Sequence, residues 1–156
     1  MHTHNIKPGD AMPEFSISAQ QPDGSTKQIS SSELRGRPYV LFFYPEADTP
    51  GCTKESIRFT ELAAEFEKYN ALVIGASSDT LEKQYAFICK FKLSMPLLSD
   101  SGGAYRALLG NPDGGLPAAR ITYVVDAEGK VRCVVGNPRI DAELHPQAAL
   151  DCLESL

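Results

Sequence analysis

Of the four cysteines in this 156-residue chain, Cys52 lies in the local sequence best suited to a reactive thiol. An apolar run ends at Tyr44, a loop punctuated by proline and glycine follows, and a helix is predicted to begin at about Pro50. Cys52 then falls in the first helical turn, where unpaired backbone N–H groups and the positive end of the helix dipole favour a thiolate. The pattern predicts a nucleophilic sulfur; a cysteine that fills a gap at a helix end is the alternative.

The residues around Cys52 add detail to this prediction. Thr49 precedes Cys52 by three positions, where a C-x-x-C dithiol site would have its first cysteine. A threonine there removes dithiol chemistry and leaves a hydroxyl able to hydrogen-bond a bound oxygen, although the same residue could simply cap the helix. Cys52, Glu55 and Phe59 recur at helical spacing, so the sulfur is predicted to face the protein rather than open solvent.

The other three cysteines show no metal-ligand spacing and no vicinal pair. In a reducing compartment a structural disulfide is not expected, so each is interpreted as a buried apolar side chain or a reactive thiol. Cys133 alternates with two valines on a predicted strand, and Cys152 falls on an apolar helical stripe. Both are therefore predicted to be buried thiols in the core.

The composition restricts the class of protein. The chain has a mass of 16.9 kDa, which suits one domain over 1–156. A net charge of -5 and the absence of a basic cluster argue against nucleic acid as a partner. No apolar run reaches the roughly 18 residues that a membrane span requires. The N-terminal residues lack the apolar segment of a secretory signal, so a cytoplasmic location is expected. Neither a metal nor another cofactor is expected.

The predicted elements alternate between buried strands and amphipathic helices. This order indicates an α/β fold of the thioredoxin-like type, in which a mixed central β-sheet is flanked by helices and preceded by an N-terminal β-hairpin. In chain order, the predicted elements are hairpin strands Phe15–Ala19 and Thr26–Ile29, a helical turn at Ser31–Leu34, strand Tyr39–Tyr44, a helix from about Pro50 to Tyr69, strand Ala71–Ser77, a helix over Glu82–Leu93 preceded by Thr80, a short segment around Tyr105–Leu109, hairpin strands Arg120–Val125 and Lys130–Val135, and a C-terminal helix from Asp141.

Blocks along most of the chain resemble one protein family. The segment 44–55 (YPEADTPGCTKE) resembles the active-site motif of the peroxiredoxins, and most closely their PrxQ/bacterioferritin comigratory protein branch. Further blocks resemble that branch in the same order: 7–15 (KPGDAMPEF), 33–38 (ELRGRP), 77–79 (SSD), 87–90 (FICK), 95–100 (MPLLSD) and 120–129 (RITYVVDAEG). The resemblance covers roughly residues 6 to 136 and implies a thioredoxin fold that reduces hydrogen peroxide or organic hydroperoxides.

The resemblance also implies roles for individual residues. By similarity Cys52 is the peroxidatic cysteine, Thr49 a ligand of the peroxide, Pro45 a shield over the pocket, and Arg120 the active-site arginine. An arginine offers a permanent fork of donors for the thiolate and the peroxide. Glu55 is placed to orient Arg120, with a solvated helix carboxylate as the alternative interpretation. Tyr44 either lines the pocket or simply ends its strand.

The sequence departs from a common pattern of the branch in the cysteine that resolves oxidised Cys52. Many members of this branch have a resolving cysteine five positions after the peroxidatic one, and here that position is Ile57. Cys89 resembles the alternative resolving position of the branch, so an intramolecular disulfide between Cys52 and Cys89 is expected. Because bonded cysteines need Cα atoms within about 7 Å, we expect local unwinding around both residues when the disulfide forms.

The expected partners and the competing functions follow from this assignment. The resemblance points to thioredoxin or a glutaredoxin as the reductant, and the absence of a Val-Cys-Pro motif favours a monomer. A one-cysteine peroxidase and a non-enzymatic redox sensor or holdase remain alternatives. A thiol–disulfide oxidoreductase is disfavoured because Thr49 replaces the second thiol of such a site.

Overall fold

A seven-stranded mixed sheet forms the centre of the molecule in the computed structural model, which describes residues 6–45, 47–109, 120–136 and 140–156. The strand order is β2-β1-β5-β4-β3-β6-β7. The strands are β1 (Ser16–Gln20), β2 (Thr26–Ser30), β3 (Tyr39–Phe43), β4 (Leu72–Ser77), β5 (Leu97–Ser99), β6 (Ile121–Val125) and β7 (Val131–Val135).

Helices follow three of the central strands and also end the chain. They are α1 (Pro50–Glu61), α2 (Ala63–Lys68), α3 (Leu81–Phe91), α4 (Ala104–Leu109) and α5 (His145–Glu154). Three short 3-10 turns span Ser31–Leu34, Ser101–Gly103 and Ala142–Leu144. β3 pairs parallel to β4 and antiparallel to β6, so the connection through α1 and α2 is the βαβ crossover that parallel strands require.

Alternation along β3 divides the core into two layers. All five residues of β3 are buried, the pattern expected of a strand covered on both faces. Val40 and Phe42 belong to a cluster with side chains of α1, α2, α3 and α5. Tyr39, Leu41 and Phe43 belong to a second cluster with α4 and the N-terminal segment. The end of β3, just before the Cys52 loop, is therefore fixed from both sides.

The fold class is confirmed, with three local differences from the sequence-based elements. The long helix predicted from Pro50 divides at Leu62, whose φ of -94° and ψ of 9° lie outside the helical region, into α1 and α2. The three-residue β5 was not predicted, because a short strand after Pro96 leaves no alternating pattern. The C-terminal helix begins with a 3-10 turn, so α5 proper begins at His145.

The prediction that Cys133 and Cys152 are separate buried thiols is wrong. The two sulfurs form a disulfide with a Cα–Cα distance of 6.5 Å, joining β7 to α5. Cys133 is half-buried and Cys152 is 6% exposed, so the expectation of burial holds for Cys152. The pairing was missed because it depends on how α5 packs against the strand, which neither the periodicity of β7 nor that of α5 reveals.

Candidate active site

The Cys52 sulfur lies inside the protein at the start of α1. Pro50 is the first residue of this helix, where its missing N–H costs nothing. The helix buries Cys52, Glu55 and Phe59 on one side, and Phe59 stacks on Phe42 of β3 with ring centroids 4.3 Å apart. Cys52 itself is 0% exposed and is a free thiol. The helix start therefore presents its backbone dipole to a sulfur that is shielded from bulk water.

Arg120 reaches the sulfur from the residue just before β6. Its Nη2 atom donates to Sγ of Cys52 at 3.5 Å, and its Nη1 atom donates to Oε1 of Glu55 at 2.7 Å. The guanidinium crosses directly over Gly51, where a Cβ would lie only 2.8 Å from Nη2. Gly51 therefore leaves the space that the Arg120 guanidinium occupies, a role that the sequence reasoning did not assign.

Glu55 is a buried carboxyl whose main partner is this arginine. It is 0% exposed, while the Arg120 side chain is 20% exposed. Burial raises the pKa of Glu55 to about 8, against the opposing pull of Arg120. Burial also works against the Arg120 charge, but Glu55 and Cys52 outweigh it and keep the pKa of Arg120 above its ordinary value. The guanidinium thus joins the carboxyl to the sulfur, as the interpretation of Glu55 as an orienting residue requires.

A histidine that the sequence analysis did not single out completes this chain of contacts. His145, the first residue of α5, is 0% exposed. Its Nδ1 atom lies 3.5 Å from Oε2 of Glu55 and 2.9 Å from Oγ1 of Thr122. Burial, together with the nearby Arg120 charge, lowers the pKa of His145 to about 4. Gly136 lies close to the ring: a Cβ there would be 2.6 Å from the backbone oxygen of Arg120 and 3.2 Å from Cε1 of His145.

His145 was missed because its partners are distant in the sequence. Glu55 lies on α1, Thr122 on β6 and Gly136 just after β7. The one available signal was a histidine at the start of an otherwise apolar helical stripe, and that pattern does not reveal which groups face the ring.

The segment that leads from β3 to Cys52 contains Tyr44, Pro45 and Thr49. Thr49 occupies the N-cap position of α1, but its side chain makes no capping hydrogen bond. Pro45 is exposed at the surface of the loop after β3. Tyr44 is 0% exposed, and burial raises the pKa of its hydroxyl above the usual range. Tyr44 therefore lies in the core just after β3, in the same buried cluster as Cys52, and the charge of Cys52 is among the causes that raise the pKa of its hydroxyl.

Cys89 is a free and exposed thiol on α3. It lies one turn after Tyr85, and a hydrogen bond to Cys89 raises the pKa of the Tyr85 hydroxyl. Its neighbour Lys90 pairs with Asp48, at 2.8 Å from Nζ to Oδ2. This ion pair joins the helix that carries Cys89 to the loop that precedes Cys52.

The loop before Cys52 has a second attachment, to residues at the end of β4. The backbone N–H of Ala47 donates to Oδ2 of Asp79 at 2.8 Å, and the hydroxyl of Ser77 donates to the same oxygen at 2.8 Å. The loop is therefore held to the end of β4 as well as to α3. Among the described residues, no cluster of three or more metal-ligating side chains occurs, and no helix is long and apolar enough to cross a membrane.

Comparison with known proteins identifies the family to which this chain belongs. The sequence profile of the AhpC/TSA family matches residues 8–134. The chloroplastic peroxiredoxin Q of Suaeda salsa is 40% identical over 154 residues, covering 97% of this chain and 69% of that protein. The corresponding protein of Sedum lineare is 38% identical over 154 residues, covering 97% of this chain and 80% of its own length.

Solved structures agree with this relationship. Peroxidoxin BcpB from Mycobacterium tuberculosis superposes with a TM-score of 0.83 at 36% identity, over 97% of this chain and 98% of that one. A Xanthomonas campestris peroxiredoxin Q superposes with a TM-score of 0.77 at 27% identity, over 90% of each chain.

The chain therefore belongs to the AhpC/TSA family. Within that family it falls in the peroxiredoxin Q/bacterioferritin comigratory protein branch, and it is a thiol-dependent peroxidase, an oxidoreductase.

Proposed function

We propose that Cys52 is the sulfur that reduces hydrogen peroxide and organic hydroperoxides, and that Cys89 resolves the oxidised product. The observation that carries the proposal is the position of Arg120, which donates to the Cys52 sulfur and to Glu55 with different nitrogens. A fixed cation at the sulfur favours the thiolate and leaves further N–H groups for a peroxide oxygen.

The first chemical step takes place at the start of α1. The Cys52 thiolate attacks one peroxide oxygen, so that an S–O bond forms while the O–O bond breaks. Sulfur is oxidised to a sulfenic acid. The other oxygen leaves with the bonding electron pair and departs as water or alcohol after taking up a proton. Arg120, the backbone N–H of Cys52 and, by resemblance, the hydroxyl of Thr49 are proposed to stabilise the charge that builds on that oxygen. Pro45 is proposed to shield the pocket.

The second step joins the two free thiols. The Cys89 sulfur attacks the sulfenic sulfur of Cys52, a disulfide forms, and water is released. Cys89 is exposed and Cys52 is 0% exposed, so the first turn of α1 is proposed to unwind for the sulfurs to meet. A dithiol protein of the thioredoxin or glutaredoxin kind then reduces the disulfide by thiol–disulfide exchange.

The test is a mass map of the disulfides after one equivalent of hydrogen peroxide. We expect a new peptide pair joining Cys52 to Cys89, formed beside the existing bond between Cys133 and Cys152. A Cys52→Ser variant should lose peroxide consumption completely. Retention of activity by that variant would refute the assignment of Cys52, and a sulfenic acid that never pairs would make this a one-cysteine enzyme.

We further propose that the chain works as a monomer, since both thiols of the expected disulfide belong to the same chain. Light scattering of the reduced and oxidised protein tests this, and a mass of twice 16.9 kDa in either state would contradict it. A cytoplasmic location stays a prediction from composition, which fractionation of the source cells tests.

A further inference from the structure

Three ionisable groups meet at the reactive sulfur, and their charges do not balance on their own. With Cys52 as thiolate and Glu55 as carboxylate, two negative charges would share the single positive charge of Arg120. Glu55 has no exposed surface, and an uncompensated charge in a buried site is strongly disfavoured. Some further group must offset the excess negative charge when Cys52 ionises.

The contact between Glu55 and His145 supplies that group. Oε2 of Glu55 lies 3.5 Å from Nδ1 of His145, and this oxygen is buried without a hydrogen-bond donor. A charged carboxylate oxygen that is buried without a donor is strongly disfavoured. A proton on Oε2 removes that charge and has Nδ1 of His145 nearby as an acceptor. Oε1, the other oxygen of Glu55, is meanwhile held by Arg120 at 2.7 Å. The carboxyl is thus fixed between an arginine on one side and an imidazole on the other.

We propose that His145 is a positioning residue of the peroxidase reaction, which shares one proton with Glu55 and so leaves the charge of Arg120 to Cys52 and the peroxide. The inference rests on the proposed role of Cys52. His145 touches neither the sulfur nor the substrate; it acts by holding Glu55 neutral and correctly oriented, and Glu55 in turn orients the guanidinium.

The surroundings of the pair support a shared proton. The charged groups that face it are Arg120, from the residue before β6, and through that arginine Cys52, on the same helix as Glu55. Thr122 on β6 adds a hydroxyl at 2.9 Å from Nδ1. Burial raises the pKa of Glu55 to about 8 and lowers that of His145 to about 4. Between these values Glu55 is protonated and the imidazole is neutral, so the pair carries no net charge.

The same values define a pH window for stability. In the unfolded chain Glu55 titrates near 4.5 and His145 near 6.5. Between 4.5 and 6.5 the folded and unfolded pairs each hold one proton, so the two shifts cancel. Between 6.5 and about 8 only the folded pair keeps its proton. Unfolding then releases a proton, and the free energy of unfolding falls as the pH rises through this window.

Infrared spectroscopy tests the shared proton without reference to activity. At neutral pH we expect the carbonyl stretch of a buried protonated carboxyl in the wild-type protein, and its loss in Glu55→Gln. The glutamine should also remove the fall in stability that the Glu55 proton causes between pH 6.5 and about 8. Absence of the carboxyl band, together with a ring of His145 that nuclear magnetic resonance shows to be singly protonated, would overturn the proposal.

Kinetics test the positioning role. His145→Leu should slow the oxidation of Cys52 by hydrogen peroxide by about tenfold or more, measured by competition with a haem peroxidase. His145→Asn, whose amide oxygen can lie near the place of Nδ1 and accept the Glu55 proton, should recover most of that loss. Gln147→Leu on the exposed side of α5 is the matched control and should leave the rate unchanged.

The outcomes separate this proposal from the assignment of Cys52. If the wild-type protein oxidises slowly, or Cys52→Ser remains active, the proposed function fails. If the wild-type protein is fast and His145→Leu is equally fast, only the role of His145 fails. If His145→Leu does not fold, the oxidation rates of His145→Asn and His145→Gln still test the role of His145. Equal rates for these two variants would contradict a specific contact at Nδ1.

Discussion

At the scale of single residues, the reactivity of Cys52 depends on how closely Arg120 approaches α1. The guanidinium passes over Gly51 and contacts both the sulfur and Glu55. A Cβ at position 51 would lie 2.8 Å from Nη2, so the end of the Arg120 side chain would have to shift. A side chain there would push the guanidinium away from the sulfur.

We therefore predict that Gly51→Ala lowers the rate of Cys52 oxidation by roughly 10- to 100-fold, since displacing a charged donor by about 1 Å has effects of that size. Stopped-flow competition for hydrogen peroxide measures the rate. Lys54→Ala, an exposed change on the same helical turn, controls for effects on helix α1. Equal rates for the Gly51 variant and the wild type would mean that Arg120 does not need this approach.

The variant Arg120→Lys tests whether two separate donor nitrogens are needed at the sulfur and at Glu55. A lysine keeps the charge but has a single nitrogen, so it cannot donate to Glu55 and Cys52 with separate atoms as Nη1 and Nη2 do. We expect a loss of about 100-fold or more in the peroxide rate, the size seen when a transition-state donor is removed. A lysine variant with nearly full activity would show that charge alone is sufficient.

The sequence predicts some of the site residues and leaves others unidentified. Cys52 was predictable because its signal is local: a strand end, a Pro-Gly loop and a helix start within a few residues. Glu55 followed from the same helical spacing. His145 and the bond between Cys133 and Cys152 were not predictable, because each depends on α5 packing against β6 and β7.

At the scale of elements, an exposed ion pair connects α3, which carries Cys89, to the loop before Cys52. Lys90 lies next to Cys89 and pairs with Asp48, just ahead of α1. Both side chains are about half exposed or more, at 60% and 46%, so the pair contributes only modestly to overall stability. Its position matters more than its strength, because it joins the helix of Cys89 to the loop before the turn that is proposed to unwind at Cys52.

We predict that Lys90→Gln speeds formation of the Cys52–Cys89 disulfide by about two- to fivefold, the range that the loss of an exposed ion pair allows. The oxidation of Cys52 itself should be unchanged. Quenched-flow trapping of the sulfenic acid separates the two steps. Lys27→Gln, an exposed change on β2, is the charge-matched control. A slower second step in the Lys90 variant would show that the ion pair guides the thiols together.

At the scale of the whole molecule, the disulfide between Cys133 and Cys152 fixes the C-terminal helix to the edge of the sheet. It joins residues 19 positions apart. Closing a loop of this length restricts the unfolded chain and is expected to stabilise the fold by about 3 kcal/mol. Since α5 begins with His145, the bond also limits how far that ring can move from Glu55.

The matched test uses a Cys52→Ser/Cys89→Ser background, so that the remaining bond is the one under study. We predict that reduction of the bond between Cys133 and Cys152 lowers the free energy of unfolding by about 3 kcal/mol. Urea denaturation with and without a reductant measures this change. The two curves should have similar slopes. Identical midpoints would show that the bond contributes nothing to the folded state.

The complete burial of the Cys52 sulfur determines which oxidants and modifying agents can reach it in the folded protein. A sulfur with 0% exposure is reached most easily by molecules close to the size of water, and hydrogen peroxide is one of them. Bulky alkylating reagents can react with Cys52 only after the first turn of α1 opens. Their rates of reaction with Cys52 therefore report the frequency of opening rather than the nucleophilicity of the thiolate. The folded pocket therefore sorts reagents by size, and Cys89, exposed on α3, is the thiol that large reagents encounter first.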